Sequence, residues 1–541
     1  MALLSGREFG AAFALLVVTL GACILPDYES DLGGTSAGAG GVGAGGAGAG
    51  GTSVGAGGTG GDPAGGTGGT GAQAGAGCPD TDFGGVFGDS SLGSDMHQLP
   101  DGFTSSETGR TVVAGVFTEP FDFGGDAVAG VEGAMSLGGL FIGSFLRDGS
   151  PDWHVRVGGT SSLKLDRVIE VSDGALVLFH DTPNVLNQPL TIGSDQFPMQ
   201  GGADGFAVKV SIEGAVEWVH HLSNAGTARF TSAVEAPAGV LLVGWVAGVV
   251  DLEGFQRHSS TDAAPMFAWI GDDGALEHYQ QWEVDGSNAY FNDAIVEDTM
   301  IIVTGAYRGP NPLHPPLEPP NPAKFTTFLS RIPAPSQPMD VDGSESISFT
   351  HADRINYGSR LAHGNAGVLV AGHAEQGATT EFVFGTNLIS IPATSDVHSY
   401  VALVDVNSGT WGAQWGTIVR RINSPAYSGI SSFGLLPTSE HILLGHAHAP
   451  NSGTTVNGQN IVAPSLFLGL DPAGGSAELG ALLGTTNELY FLRMLPNDCG
   501  TLMIGSYQGD RVIEGITLPG NGMLNRNGVV FLQGGIPFTP L

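Results

Sequence analysis

The sequence predicts an all-β fold: a seven-bladed β-propeller of four-stranded antiparallel blades, preceded by a disordered Gly-rich linker. Three observations predict it. A hydrophobic strand ending in a small residue recurs seven times along the 541 residues, at Gly115, Phe179, Gly244, Gly305, Gly372, Gly445 and Gly505. Each copy is flanked by shorter alternating apolar segments and Gly-containing turns, which reads as four antiparallel strands per repeat. The stretch from Cys78 to Leu541 holds 464 residues, or about 66 per repeat for seven repeats, matching the spacing of the anchors. Such sheets bury their faces on their neighbours around a central channel. A β-solenoid needs shorter periods, and a row of sandwiches needs more strands per domain.

The elements follow in chain order. Residues 1–22 read as an export signal, with Arg7 near the start, an apolar run from Ala11 to Leu20 and then small residues. The run is too short to span a bilayer. Leu20-Gly21-Ala22-Cys23 closely resembles the lipobox of bacterial lipoproteins. That resemblance implies cleavage before Cys23, acylation of Cys23 and a membrane anchor at the bacterial outer membrane or cell surface. The alternative is cleavage by ordinary signal peptidase near Ala22. Residues 23–77 form the linker, with 23 Gly in the 45 positions from Gly33 to Gly77 and Asp62 as their only charge. Such a segment cannot bury enough apolar surface to offset its backbone entropy. A Gly-rich coil of this length has a reach of roughly 40 Å. Residues 78–541 form the propeller.

Within each repeat a second apolar-x-apolar-x-Gly element follows the anchor, ending at Gly124, Gly193, Gly254, Gly385, Gly458 and Gly515. The fourth repeat lacks it and carries seven Pro between Pro310 and Pro322 instead. A third strand closes on a turn at Gly149, Gly214, Gly274, Gly409 or Gly474, and a fourth opens near Trp153, Trp218, His278 or Trp411. The last repeat stops after its third strand, and the first has only a weak opening strand near Phe103 to Gly109. Ring closure is therefore expected to use the N-terminal segment from Phe83 to Leu99. No convincing helix appears in the mature chain.

These repeats resemble the seven-bladed β-propeller repeat of exported proteins of myxobacteria and their relatives. In the second repeat Gly201, Gly202, Asp204, Phe206, Lys209, Gly214 and Trp218 match that pattern. The resemblance covers residues 80 to 541. It implies a surface-exposed scaffold and supplies no catalytic residues. The fourth repeat departs from it, with no FGG element, no turn Gly and no Trp.

Charge limits the partners. Acidic side chains number 53 against 19 basic ones, a formal net charge of −34. With Lys164, Lys209 and Lys324 the only lysines, nucleic acid is excluded as a partner and anionic membrane surfaces are disfavoured. Of three Cys, the lipobox takes Cys23 and leaves Cys78 and Cys499, whose disulfide would join the start of the folded part to its end. Two buried thiols are the alternative.

The loop after the second strand is long, and long loops on rigid scaffolds carry function. Candidate ligand-binding residues therefore lie just past the anchors: His180, Trp245, Tyr307, His373, His446 and His448. A metal site is the sharper reading of the histidines. Across a ring, however, only His373, His446 and His448 could converge, with no Cys or carboxylate cluster beside them. The expectation is therefore no metal, no cofactor and no catalytic set, the histidines capping strand ends or facing solvent. The Trp at the opening of the fourth strands are expected to pack repeat against repeat. The chain then reads as a cell-surface lipoprotein, monomeric, presenting a non-enzymatic scaffold to a protein or glycan. A polysaccharide hydrolase or lyase and a structural envelope component are the alternatives.

Overall fold

The anchor of the second repeat, Gly174–Asp181, is buried at every position. Strand geometry sends its alternate side chains to opposite faces. Ala175, Val177 and Phe179 join a core with Val112, Ala114, Leu140 and Ile142 of the first repeat. Leu176 and Leu178 join another with Leu241 and Val243 of the third. The same division recurs further along. Val368 and Val370 pack with Ile302 and Leu329 of the fourth repeat, while Leu369 and Ala371 pack with Leu468 and Leu470 of the sixth. Each of these sheets is thus apolar on both faces because it is covered on both.

The computed structural model describes the strands, and many of the turns joining them, between Phe83 and Pro540. Side-chain surroundings are described within residues 101–417 and 468–478. Cys23, Cys78, Cys499, His448 and Trp411 lie outside the described residues. Pro79–Leu541 forms one compact unit. Among the described residues there is no helix, and the architecture is antiparallel throughout the paired strands.

Each repeat contributes strands in the order in which they pair. In the second, Leu163–Val171, Gly174–Asp181, Asp204–Ser211 and Val216–Asn224 lie side by side. The fourth repeat, although divergent in sequence, has its own four: Asn288–Glu297, Met300–Arg308, Thr326–Pro333 and Glu345–His351. The last repeat has three, Leu489–Asn497, Gly500–Gln508 and Asn527–Gly534. Its fourth position is filled by Phe83–Ser90, which runs antiparallel to Asn527–Gly534 with Val86 opposite Val530.

Packing follows the chain. The first strands of the repeats are Asp101–Thr104, Leu163–Val171, Thr227–Ala236, Asn288–Glu297, Asn356–Gly364, Phe433–Pro437 and Leu489–Asn497. Each touches the next in this order, and Leu489–Asn497 touches Asp101–Thr104.

The second apolar element of a repeat forms one arm of a short hairpin, and in four places that hairpin pairs with the preceding repeat. Thr191 lies opposite Gly158 and Ile192 opposite Val157. Asp251 lies opposite Ser223, Val383 opposite Thr350, and Thr454 opposite Arg421. The hairpins cover edges that would otherwise present unpaired N–H and C=O groups. The sheet of the third repeat has four strands only. The Pro-rich run of the fourth repeat stands where a hairpin would have arisen, and Pro cannot donate to a ladder.

The recurrent Trp locks one repeat to the next. Trp153 donates its indole N–H to Ile212 O at 2.8 Å, and Trp415 donates to Pro472 O at 3.0 Å, each reaching the turn after the third strand of the following repeat. Gly214 and Gly475 in those turns have φ of +87° and +68°, and a Cβ at either would lie within 2.7 Å of the indole. The equivalent residue in the fifth repeat is therefore Trp415 rather than the expected Trp411: Trp415 lies opposite Leu403, twelve positions back, where Trp153 lies opposite Ser144, nine back. The fourth repeat, which has no Trp, uses Arg331, whose guanidinium donates to Val406 O at 3.0 Å. Trp153→Phe, which keeps an aromatic ring but loses the N–H and part of the indole packed on Gly214, should cost at least about 1 kcal/mol. A guanidinium unfolding midpoint unchanged by this substitution would refute the latch.

Candidate functional site

The first strands are not regular. In the second repeat the register shifts between Leu165 and Arg167, leaving Asp166 as the extra residue of a bulge. Equivalent shifts fall at Phe230/Ser232, Phe291/Asp293, Gly358/Arg360 and Phe491/Arg493. A bulge re-aims a side chain and ends the strict alternation. Here it directs Asp166 toward the third repeat.

His180 places Nδ1 2.8 Å from Asp166 Oδ2 and is itself 3% exposed. The other carboxylate oxygen, Oδ1, accepts Arg229 Nε–H at 3.1 Å and a second hydrogen bond from Arg229 Nη2. Burial would raise the pKa of Asp166, but the Arg229 charge and the His180 contacts outweigh it and hold the carboxyl below its ordinary 3.8. An ionised carboxylate only accepts, so His180 donates through Nδ1–H. The trio joins the second and third repeats at the end of the strands where the long loops emerge.

Arg229 pairs across the strands with Trp245. Trp245 is half-buried, and its ring meets Tyr290 of the fourth repeat edge-on, with centroids 5.4 Å apart. Burial raises the Tyr290 hydroxyl pKa well above its ordinary value, with opposing effects from Arg308 and Asp262, so it stays protonated. Tyr307 is fully buried, its ring 5.9 Å from Phe328, and serves the core.

Of the expected ligand-binding residues, His180 and Trp245 therefore fall on adjacent repeats, linked by Asp166 and Arg229, with Tyr290 of the next repeat against Trp245, whereas Tyr307 belongs to the core. His373 lies in Gly367–Glu375, opposite Tyr357 and Ser399, and His446 in Ile442–Ala447, opposite Phe433 and Leu466. Their backbones alone are described. Among the described residues no group of three His, Cys, Asp or Glu is placed to hold a metal ion. Sequence reasoning missed Asp166 and Arg229. The run Leu165-Asp166-Arg167, with its parallels Phe230-Thr231-Ser232 and Phe291-Asn292-Asp293, was the available signal.

A carboxylate whose folded pKa is depressed contributes stability that is present above its unfolded pKa and lost as pH falls through the folded one. Denaturant midpoints should therefore decline below about pH 4, and Asp166→Asn should make that decline shallower. An identical pH slope in the variant would show that the trio carries none of it.

No protein-family model matches the chain, and no curated protein matches it. Solved structures similar to it include a monoclinic crystal form of a chimera between ACO and RPE65, at 10% identity and a TM-score of 0.33, covering 86% of this chain and 95% of that one. A mutant of the Synechocystis apocarotenoid oxygenase is 10% identical with a TM-score of 0.34, covering 86% of this chain and 96% of that one. At these scores the likeness carries no argument about fold or function.

Proposed function

We propose that the chain is a lipid-anchored surface protein whose seven sheets close into a propeller, and that the ring binds a protein or glycan at the end from which its long loops emerge. Support for the ring comes from the succession of first-strand contacts and from Phe83–Ser90 completing the last sheet. The observation that carries the binding reading is the arc of Arg229, Trp245 and Tyr290, in which a half-buried Trp lies opposite, on the paired strand, an Arg whose guanidinium is already fixed by Asp166. Pre-positioned aromatic and Arg side chains are what partner surfaces use as anchors. An acylated Cys23 followed by the Gly-rich linker would hold the ring clear of a membrane.

The test uses the purified full chain on glycan arrays and against envelope protein fractions, with Trp245→Ala beside it. Binding that falls at least tenfold in the variant while the thermal transition is kept supports the reading; full binding by the variant removes the arc from it. Cys23→Ser should abolish labelling by palmitate and release the protein from membranes. Continued labelling would overturn the anchor.

A further inference from the structure

In the second to fifth repeats the first strand turns into the second through a two-residue hairpin, at the end away from the long loops. One residue before the pair that closes each hairpin stand Glu170, Glu235, Val296 and His363, opposite Ala175, Val240, Ile301 and Val368. A single register position in four consecutive repeats therefore carries two carboxylates, an aliphatic side chain and an imidazole. All four residues line an open groove of about 310 Å³. Ile169, Ile295 and Val296 in its lining are only half-buried, so the groove presents apolar surface to solvent, while Glu170 and Glu235 beside it are exposed.

Neighbouring repeats hold this rim in place. Glu235 Oε2 accepts Ser172 N–H at 2.9 Å, which draws it onto the turn that follows Glu170. His363 Nδ1 lies 2.7 Å from Glu297 Oε2, so the imidazole is engaged by a carboxylate of the preceding repeat and leaves the charge of the groove negative. Apolar surface beside carboxylates suits a Lys or Arg side chain, which lays its methylene stem on the former and keeps its charged head in water. The linker cannot supply one, because residues 24–77 contain neither Lys nor Arg. A second copy, at a net charge of −34, is repelled, as is an anionic lipid surface. Charge complementarity therefore selects a basic partner.

We infer that this groove docks an extended basic segment of a partner protein, with a Lys or Arg stem along Ile169, Ile295 and Val296 and its charged head at Glu170 and Glu235. The site lies at the other end of the strands from the arc of Trp245 and Tyr290. It depends neither on that arc nor on the lipid anchor.

The probe is a fluorescein-labelled peptide, Gly-Ser-Lys-Ala-Lys-Ser-Gly, titrated with the full chain by fluorescence anisotropy. An ionic strength of about 0.15 M screens exposed charges beyond about 8 Å. Saturable binding of one peptide per chain is expected. The same peptide with Nε-acetylated lysines loses the charge, and one with diaminopropionate for lysine loses the stem; each should bind at least tenfold more weakly. Glu170→Gln with Glu235→Gln should weaken binding at least tenfold, since Gln still accepts from Ser172 N–H. Asp195→Asn with Glu213→Gln removes the same charge from exposed positions outside the groove and should leave binding unchanged. Val296→Trp, which fills the groove, should match the glutamate pair while the thermal transition is kept. Absence of saturable binding, equal losses in the two double variants, undiminished binding of the diaminopropionate peptide, or spermine competing at the peptide's own concentration would each overturn the inference.

Discussion

Deletion of Phe83–Ser90 is expected to abolish cooperative folding of everything that follows it. These eight residues occupy the fourth position of a sheet whose other strands come from the far end of the chain. Their ladder runs from Phe83 opposite Gln533 to Ser90 opposite Asn527. About half a dozen hydrogen bonds at roughly 1 kcal/mol each approach the whole stability of a typical domain, about 5–15 kcal/mol. Loss of the strand also leaves Asn527–Gly534, which reads Asn-Gly-Val-Val-Phe-Leu-Gln-Gly, with a bare edge inviting aggregation. The first repeat would lose a neighbour too, since Phe83–Ser90 touches Phe121–Phe123 and Thr111–Phe117. Guanidinium unfolding followed by Trp fluorescence distinguishes the outcomes. A soluble deletion variant with the wild-type midpoint would mean that the pairing contributes nothing. Val86→Pro, which disturbs the ladder at one position opposite Val530, should give a smaller loss.

The strands were legible because period-two alternation and turn glycines are local signals. Gly174–Asp181 and the turn at Gly214 can be read from fewer than ten residues each. The Phe83 segment was legible for another reason: the last repeat lacked a strand, and only the N-terminus could supply one. What a hairpin pairs with was not legible. The element at Gly193 reads the same whether it extends its own sheet or covers Gly158 of the one before. The partners of His180 were equally hidden, since Arg229 reaches Asp166 across 63 positions and a bulge breaks the alternation that would have located Asp166. Arg331 standing in for a Trp could be recognised only once the carbonyl of Val406 was seen where Ile212 and Pro472 are in other repeats.

Acidic residues inside apolar strands were the least legible feature, and Asp293 shows why they are kept. Asp293→Ala should cost about 3–5 kcal/mol, as removing one partner of a buried ion pair does. The residue is fully buried and joins four repeats: Arg167 from the second, Ser232 from the third, its own strand, and Leu361 N–H from the fifth. Asp101 makes the same two backbone contacts between the first and second repeats, with Gly102 N–H and Val168 N–H, both at 2.9 Å. A carboxylate at this place therefore serves as a latch between the first strands of successive repeats, and at Asp293 it also neutralises a guanidinium. Truncation leaves that charge uncompensated in a dry site, so Asp293→Ala must be worse than Ser232→Ala, which loses one hydrogen bond worth about 1 kcal/mol. Pairing Asp293→Ala with Arg167→Met removes both charges and should recover part of the loss, the difference measuring the ion pair separately from the backbone latch. If Asp293→Ala unfolds within about 1 kcal/mol of wild type, water replaces the carboxylate at little cost. The link between repeats would then rest on the Trp and Arg331 contacts to the turns.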